Sequence, residues 1–212
     1  MIEWGIIQAG GRSSRMGADK AWLEVAGEPL IEHGLSALRP VAHRLAIVIS
    51  EAMPNADRYA ALAAKWTARL LIDGHGYLGP LGGIQTALAI PRRHPSVRDA
   101  SAILACDLPF ITSALLARLA EIHQAGDYDL TLPEDAEGRA QPLAAIYSFR
   151  CLPAVERLLA ENSLRVDGLY SLVRTRRVGS DEYRSLFSNQ ADAERCLVNL
   201  NTREDARRNL SP

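Results

Sequence analysis

The chain has 212 residues, 48% of them hydrophobic and 23% charged, and a formal net charge of −1. That length suits one α/β domain with a sizeable core, and the near-neutral balance supplies no basic field for nucleic acid, so a small-molecule partner is expected. No apolar run reaches the length of a membrane span, the N-terminus has no basic leader pattern, and three widely spaced cysteines (Cys106, Cys151, Cys196) without a Cys-x-x-Cys pair suit a reducing cytoplasm better than a disulfide framework or a structural zinc site.

The run from Glu3 to Ala9 is short and apolar and predicts a buried strand. A loop rich in Gly, Ser and Arg follows, from Gly10 to Lys20. Pro29 to Leu38 predicts a helix with Pro29 at its first position and Leu30, Ile31, Leu35 and Leu38 on one face. Arg44–Ser50 predicts a second strand, Ala56–Trp66 an Ala-rich helix, and Leu70–Asp73 a third strand ending in a Gly-rich turn. Leu81–Ile90 predicts a helix stopped by Pro91. Ala100–Cys106 predicts a fourth strand, and Thr112 caps a helix running to Gln124. This alternation is the pattern of a mostly parallel sheet covered on both faces. Farther on, Asp129–Leu132 and Leu143–Phe149 predict strands, and Leu152–Glu161 and Asp167–Val173 helices. Cys196–Leu200 predicts a last strand and Thr202–Arg208 a last helix. With no repeat, low-complexity tract or linker, one domain is expected over residues 1–212.

Four places could carry chemistry. In Gly10-Gly11-Arg12-Ser13-Ser14-Arg15-Met16-Gly17-Ala18-Asp19-Lys20, glycines expose amide donors, serines add hydroxyls, and Arg15 and Lys20 bring positive charge for a polyphosphate. Only Lys20 and Lys65 are lysines among 24 basic residues, which singles out a lysine in such a loop. The loop is neither a Walker A sequence nor a dinucleotide fingerprint, and its plain alternative is a surface loop with solvated arginines. Asp107, at the carboxyl end of the fourth strand, could hold Mg²⁺ or simply cap a turn. Gly79-Pro80-Leu81-Gly82-Gly83 opens a helix after the third strand and would admit a base or a phosphate, with Asp73 just before it as an acceptor. Asn199 and Asn201, spaced to share one strand face, could contact ligand together or form a helix cap. The five histidines have no metal spacing, there is no nucleophile elbow, and the clusters Arg92-Arg93 and Arg174-Arg176-Arg177 read as solvated surface.

The loop Ala9-Gly10-Gly11-x-Ser13-x-Arg15-Met16-Gly17-x-Asp19-Lys20-x-x-Leu23 resembles the signature of the molybdenum cofactor guanylyltransferases, the MobA-like nucleotidyltransferases. Gly79 to Gly83, Cys106-Asp107-Leu108-Pro109, Gln141-Pro142-Leu143 with Tyr147, and Leu197 to Thr202 resemble that family's later motifs in the same order. The resemblance implies a Rossmann-like three-layer α/β/α sandwich with a nucleotide-binding half over roughly residues 1–110 and an acceptor-binding half over 111–212.

It also implies a reaction: GTP and Mo-molybdopterin give the guanine dinucleotide cofactor and pyrophosphate. By the same resemblance Arg15, Lys20 and the Gly10 and Gly11 amides hold the triphosphate, within a loop that includes Ser13 and Gly17, and Asp107 holds Mg²⁺. Gln8, Ala9 and Gly10 with Asp73, Gly79, Pro80, Leu81, Gly82 and Gly83 frame guanosine, while Asn199, Asn201 and Arg165 face molybdopterin. Transient contact with molybdenum-cofactor insertion proteins or apo-molybdoenzymes is a further implication. This chain departs from the pattern at Gln8, where leucine is usual, at Ser50 and Glu51, where an asparagine is often found, and at Arg203, where proline is usual. The alternatives are a sibling transferase using CTP with molybdopterin or an NTP with a sugar phosphate, a non-catalytic nucleotide-binding regulator, and an α/β domain with an unrelated ligand.

Overall fold

The computed structural model describes residues 1–9, 19–51, 53, 55–74, 78–90, 100–200 and 205. In chain order the elements are β1 (Ile2–Gln8), β2 (Glu24–Val25), β3 (Glu28–Pro29), α1 (Leu30–Leu38), β4 (Ala42–Ser50), α2 (Ala56–Trp66), β5 (Ala68–Asp73), α3 (Gly79–Leu88) and β6 (Ala100–Ala105). They continue with α4 (Ser113–Gly126), β7 (Leu130–Pro133), β8 (Ala144–Ser148), α5 (Leu152–Ala160), β9 (Thr175–Val178) and α6 (Gln190–Arg195).

Among the described residues, seven strands form one sheet in the order β5-β4-β1-β6-β8-β7-β9. β5, β4, β1 and β6 pair in parallel. β8 is antiparallel to both of its neighbours, and β9 returns to the parallel direction beside β7. The sheet is therefore mostly parallel, with β8 the reversed strand.

The near-continuous apolar runs in β1, β4 and β6 follow from burial on both faces. Ile7 and Ile47 face one cluster, with Leu35 and Leu38 of α1, Tyr59 and Leu62 of α2, and Leu115 and Leu119 of α4. Ile6, Val48 and Ile103 face the other, with Leu81 and Ile84 of α3, Tyr147 of β8, and Val155 and Leu158 of α5. Alternation along each strand thus serves two helical layers, and each such aliphatic side chain contributes roughly 1.5–3 kcal/mol of burial. At the start of α4 the Thr112 hydroxyl accepts the Leu115 N–H at 3.2 Å, as its position before an apolar-periodic stretch predicts.

Several elements differ from the sequence-based expectation. Val25-Ala26-Gly27-Glu28 makes a tight hairpin with φ of 52° at Ala26 and 84° at Gly27, so Pro29 ends β3 and precedes α1 rather than opening it. α3 begins at Gly79, two residues before the expected start. The helix expected over Asp167–Val173 is a 3₁₀ segment over Val166–Ser171. Arg176 and Arg177, read as solvated surface, lie in edge strand β9, which the sequence pattern did not predict, their charges blunting a free edge. The strand expected over Cys196–Leu200 does not form: α6 occupies Gln190–Arg195 and an irregular segment follows it. Of the helix expected over Thr202–Arg208, only Asp205 is among the described residues, and it is helical.

Candidate active site

The strand order reverses direction in the chain between β1 and β6, and the crevice beyond the carboxyl ends of these two strands is where open α/β sheets take their ligands. Its two sides are joined by backbone bonds: the Cys106 N–H donates to the Gln8 carbonyl at 3.1 Å, and the Ala9 N–H to the Val48 carbonyl at 2.9 Å. Gln8, Ala9, Cys106 and Asp107 are thereby fixed at one edge by the pairing of β1 with β4 and β6.

Lys20 and Asp107 meet at this edge. Lys20 Nζ donates to Asp107 Oδ2 at 2.7 Å, with side chains 16% and 20% exposed. The other oxygen, Asp107 Oδ1, is buried and has no hydrogen-bond partner. A buried acceptor left without a donor costs about 1–3 kcal/mol or more, so it marks a place made for something else. A hard divalent cation suits a single carboxylate oxygen, since Mg²⁺ keeps several waters and takes substrate phosphates as further ligands. Among the described residues no group of three or more His, Cys, Asp or Glu is arranged to hold a metal. The donor set thus fits a cation shared with substrate and does not make a closed structural site.

The segment bearing Lys20 is itself anchored. Asp19 caps the 3₁₀ turn Lys20–Trp22, its Oδ1 accepting the Ala21 N–H at 3.2 Å. Its Oδ2 accepts the Tyr59 hydroxyl of α2 at 2.7 Å. Tyr59 is fully buried, its ring centroid is 5.2 Å from that of Trp22, and the Arg58 guanidinium lies 3.9 Å over the Trp22 ring. Burial, reinforced by the bond to Asp19, pushes the Tyr59 phenol far up, so it stays a donor. Burial together with the Asp107 charge likewise pushes the Cys106 thiol up, which removes it as a nucleophile. Asp19 belonged to the loop signature without an assigned role, and Tyr59 did not stand out in the sequence. The available signal was a large hydroxylated residue within an Ala-rich helix, whose polar tip needs a partner when buried.

The glycine segment does something the sequence did not reveal. Gln8 Nε2 donates to the Pro80 carbonyl at 3.2 Å, tying the end of β1 to the first turn of α3. A Cβ on Gly83 would stand 2.3 Å from Gln8 Nε2, and one on Gly82 would stand 3.1 Å from Asp73 Oδ2. The two glycines therefore make room for protein side chains at the mouth of the site. Asp73 is the last residue of β5 and is 8% exposed.

The C-terminal segment reaches the same edge: the Leu200 N–H donates to the Asp107 carbonyl at 2.9 Å, and Leu200 is buried with Val25 and Leu30. Asn199, beside it, is exposed. Asn199 lies in this irregular segment and not in the strand expected over Cys196–Leu200. The Leu143 carbonyl accepts the Ala105 N–H at 2.8 Å, and the Tyr147 hydroxyl donates to the Pro142 carbonyl at 2.9 Å, which fixes Gln141-Pro142-Leu143 beside β6. Arg165 pairs with Asp167 at 2.5 Å and is 86% exposed. Gly10, Gly11, Ser13, Arg15, Gly17 and Asn201 lie outside the described residues.

Residues 5–178 match the family model of the MobA-like NTP transferase domain. The chain is 34% identical to a probable molybdenum cofactor guanylyltransferase of Pelotomaculum thermopropionicum over 95% of its own length and 88% of the relative's. It is 29% identical to the molybdenum cofactor guanylyltransferase of Vibrio cholerae, over 94% and 87%. Among solved structures, molybdopterin-guanine dinucleotide biosynthesis protein A from Archaeoglobus fulgidus superposes with a TM-score of 0.75 at 21% identity, covering 97% of this chain and 95% of that one. A 4-diphosphocytidyl-2C-methyl-D-erythritol synthase from Anaerococcus prevotii shares the fold at a TM-score of 0.68 and 12% identity, covering 99% and 96%.

Proposed function

The chain belongs to the MobA-like NTP transferase family, and from that premise we propose that it transfers GMP from GTP to the terminal phosphate of Mo-molybdopterin, releasing pyrophosphate. The observation that carries the reading is the Lys20–Asp107 pair at the β1–β6 crevice, with one Asp107 oxygen buried and unpartnered. In-line attack of one phosphate on another brings anions together, so the protein's task is charge neutralisation and positioning, with no protein nucleophile required.

Lys20 is the point charge that meets the triphosphate, and Arg15 with the amides of Gly10 and Gly11, in a loop with Ser13 and Gly17, completes the cradle. Asp107 Oδ1 would hold a divalent cation, Mg²⁺ in our reading. Bound there, the cation supplies Lewis-acid stabilisation of phosphate oxygens. Gln8, Ala9 and Asp73 with Gly79 to Gly83 frame the guanosine side. Asn199, Asn201 and Arg165 serve the acceptor side, and Asn199 adjoins the residue bonded to the Asp107 carbonyl. The halves 1–110 and 111–212 thus divide nucleotide from acceptor. We place the enzyme in the cytoplasm, where its three free cysteines would stay reduced and where it could contact insertion proteins or apo-molybdoenzymes transiently. No helix among the described residues is long and apolar enough to cross a membrane.

The test is pyrophosphate release from each of GTP, CTP, ATP and UTP with Mg²⁺ and Mo-molybdopterin. Release from GTP that requires the acceptor and is lost in Asp107→Ala is the expected result. Release from CTP instead would assign the chain to a cytidylyl sibling, and none from any nucleotide would contradict the reading.

A further inference from the structure

We propose that Tyr59 of α2 is a positioning residue for catalysis: through Asp19 it holds the Lys20 ammonium at the phosphate-facing edge of the site. The proposal rests on the nucleotidyl-transfer reading for the role of Lys20, but its geometry stands apart from it. Both carboxylate oxygens of Asp19 are engaged, one by the Tyr59 hydroxyl at 2.7 Å and the other by the Ala21 N–H at 3.2 Å. Asp19 cannot turn without breaking both bonds, and Lys20 is the next residue. The strut begins in the core, since Tyr59 is fully buried and packed against Trp22 on the far side of the same 3₁₀ turn. It ends 2.7 Å from Asp107 Oδ2, at the tip of Lys20.

A lysine side chain has four rotatable bonds and defines direction poorly on its own. Fixing its backbone to a buried helix is what turns a flexible cation into a placed one, and misplacement of about 1 Å in such a site can cost on the order of 100-fold in rate. Burial alone requires the hydroxyl to find a partner; what makes the contact positional is that the partner it takes is the residue next to Lys20.

The chain offers an unusual readout, because it contains two lysines. Lys65 lies on the same helix as Tyr59 and pairs with Glu32 at 2.5 Å, so it reports on α2 independently of Asp19. In protein labelled with ¹³C-lysine, Tyr59→Phe removes the hydroxyl while keeping the ring. The expected result is a shift of the Lys20 ε-methylene signal with the Lys65 signal unmoved, reproduced by Asp19→Asn. In turnover of Mg-GTP, kcat/KM should fall roughly 10- to 100-fold in Tyr59→Phe. It should fall no further when Tyr59→Phe is added to Lys20→Ala, because the two act as one unit. A Lys20 signal that stays in place would overturn the proposal, as would lysine signals that move together or losses that multiply. If the wild type turns over no nucleotide, the transferase reading fails, and the lysine spectra alone decide whether Tyr59 places Lys20.

Discussion

In the half of the sheet built on β5, β4, β1 and β6, charged side chains converge: Lys20 and Asp107 stand 2.7 Å apart at the carboxyl ends of the paired strands β1 and β6. In the half built on β8, β7 and β9, charges spread along the surface. Arg150 pairs with Asp129 at 2.7 Å, Arg174 with Asp127 at 3.1 Å, and Arg177 with Glu134 at 2.9 Å. The first arrangement is held by backbone pairing and apolar burial, so its groups keep their places without ligand. Arg150–Asp129 is half-buried, but the more exposed pairs of Arg174 and Arg177 lose most of their attraction to water and salt, so they guard an edge strand and add little rigidity.

The comparison can be broken most sharply at the crevice. Lys20→Ala or Asp107→Ala should each cut pyrophosphate release about 100- to 1000-fold, while Arg174→Ala should leave it within about twofold. Equal losses in all three would mean that the two halves do not differ in this way. Next in size is the core beneath the crevice. Ile47, wholly buried in β4, should cost about 2–5 kcal/mol when truncated to Ala, read from the urea midpoint at unchanged slope.

The half of the sheet built on β8, β7 and β9, with α4 packed on it, supplies a pH test. His123 of α4 is buried against Thr131, its Nδ1 3.0 Å from the hydroxyl. Burial, helped by the nearby Arg150 charge and opposed by Asp129 and Asp127, lowers its pKa from 6.5 to about 4. Between those values the unfolded chain binds a proton that the folded chain does not. Stability should therefore fall as pH drops through that window, by at most about 1.4 kcal/mol per pH unit, and level off below it. His123→Asn should flatten that slope, measured as chemical unfolding at a series of pH values. A smaller effect, about 0.5–1.5 kcal/mol, is expected for Tyr147→Phe, which removes the hydroxyl's bond to the half-buried Pro142 carbonyl. Smallest is Arg174→Ala, whose exposed pair should leave the unfolding midpoint unmoved.

The same division governed what could be read in advance. β1, β4 and β6 announced themselves because burial on both faces demands unbroken apolar runs, and Asp107 stood out because such a run ended at it. Thr112 was legible as a cap because capping is local. The hairpin at Ala26-Gly27 was missed because its strands are two residues long, too short for any period. β9 was missed because an edge strand rich in Arg carries no apolar run. Cys196–Leu200 looked like a strand because its buried residues, Cys196, Leu197 and Leu200, are apolar, yet they pack under the site without joining the sheet. At the site, residue types announced Lys20 and Asp107, but the strut from Tyr59 and the tether from Gln8 to Pro80 depend on partners 40 and 72 residues away. No local pattern encodes such pairs.

The most direct measurement of the central claim is nucleotide-dependent thermal unfolding of the wild type, Asp107→Ala and Lys20→Ala with Mg²⁺ and each of GTP, CTP, ATP and UTP. A ligand at about 100 times its Kd should add about 2.7 kcal/mol to the folded state. The account predicts stabilisation by GTP above the other three, weakened in both variants. Equal stabilisation by all four nucleotides, or a GTP effect that survives both substitutions, would contradict it.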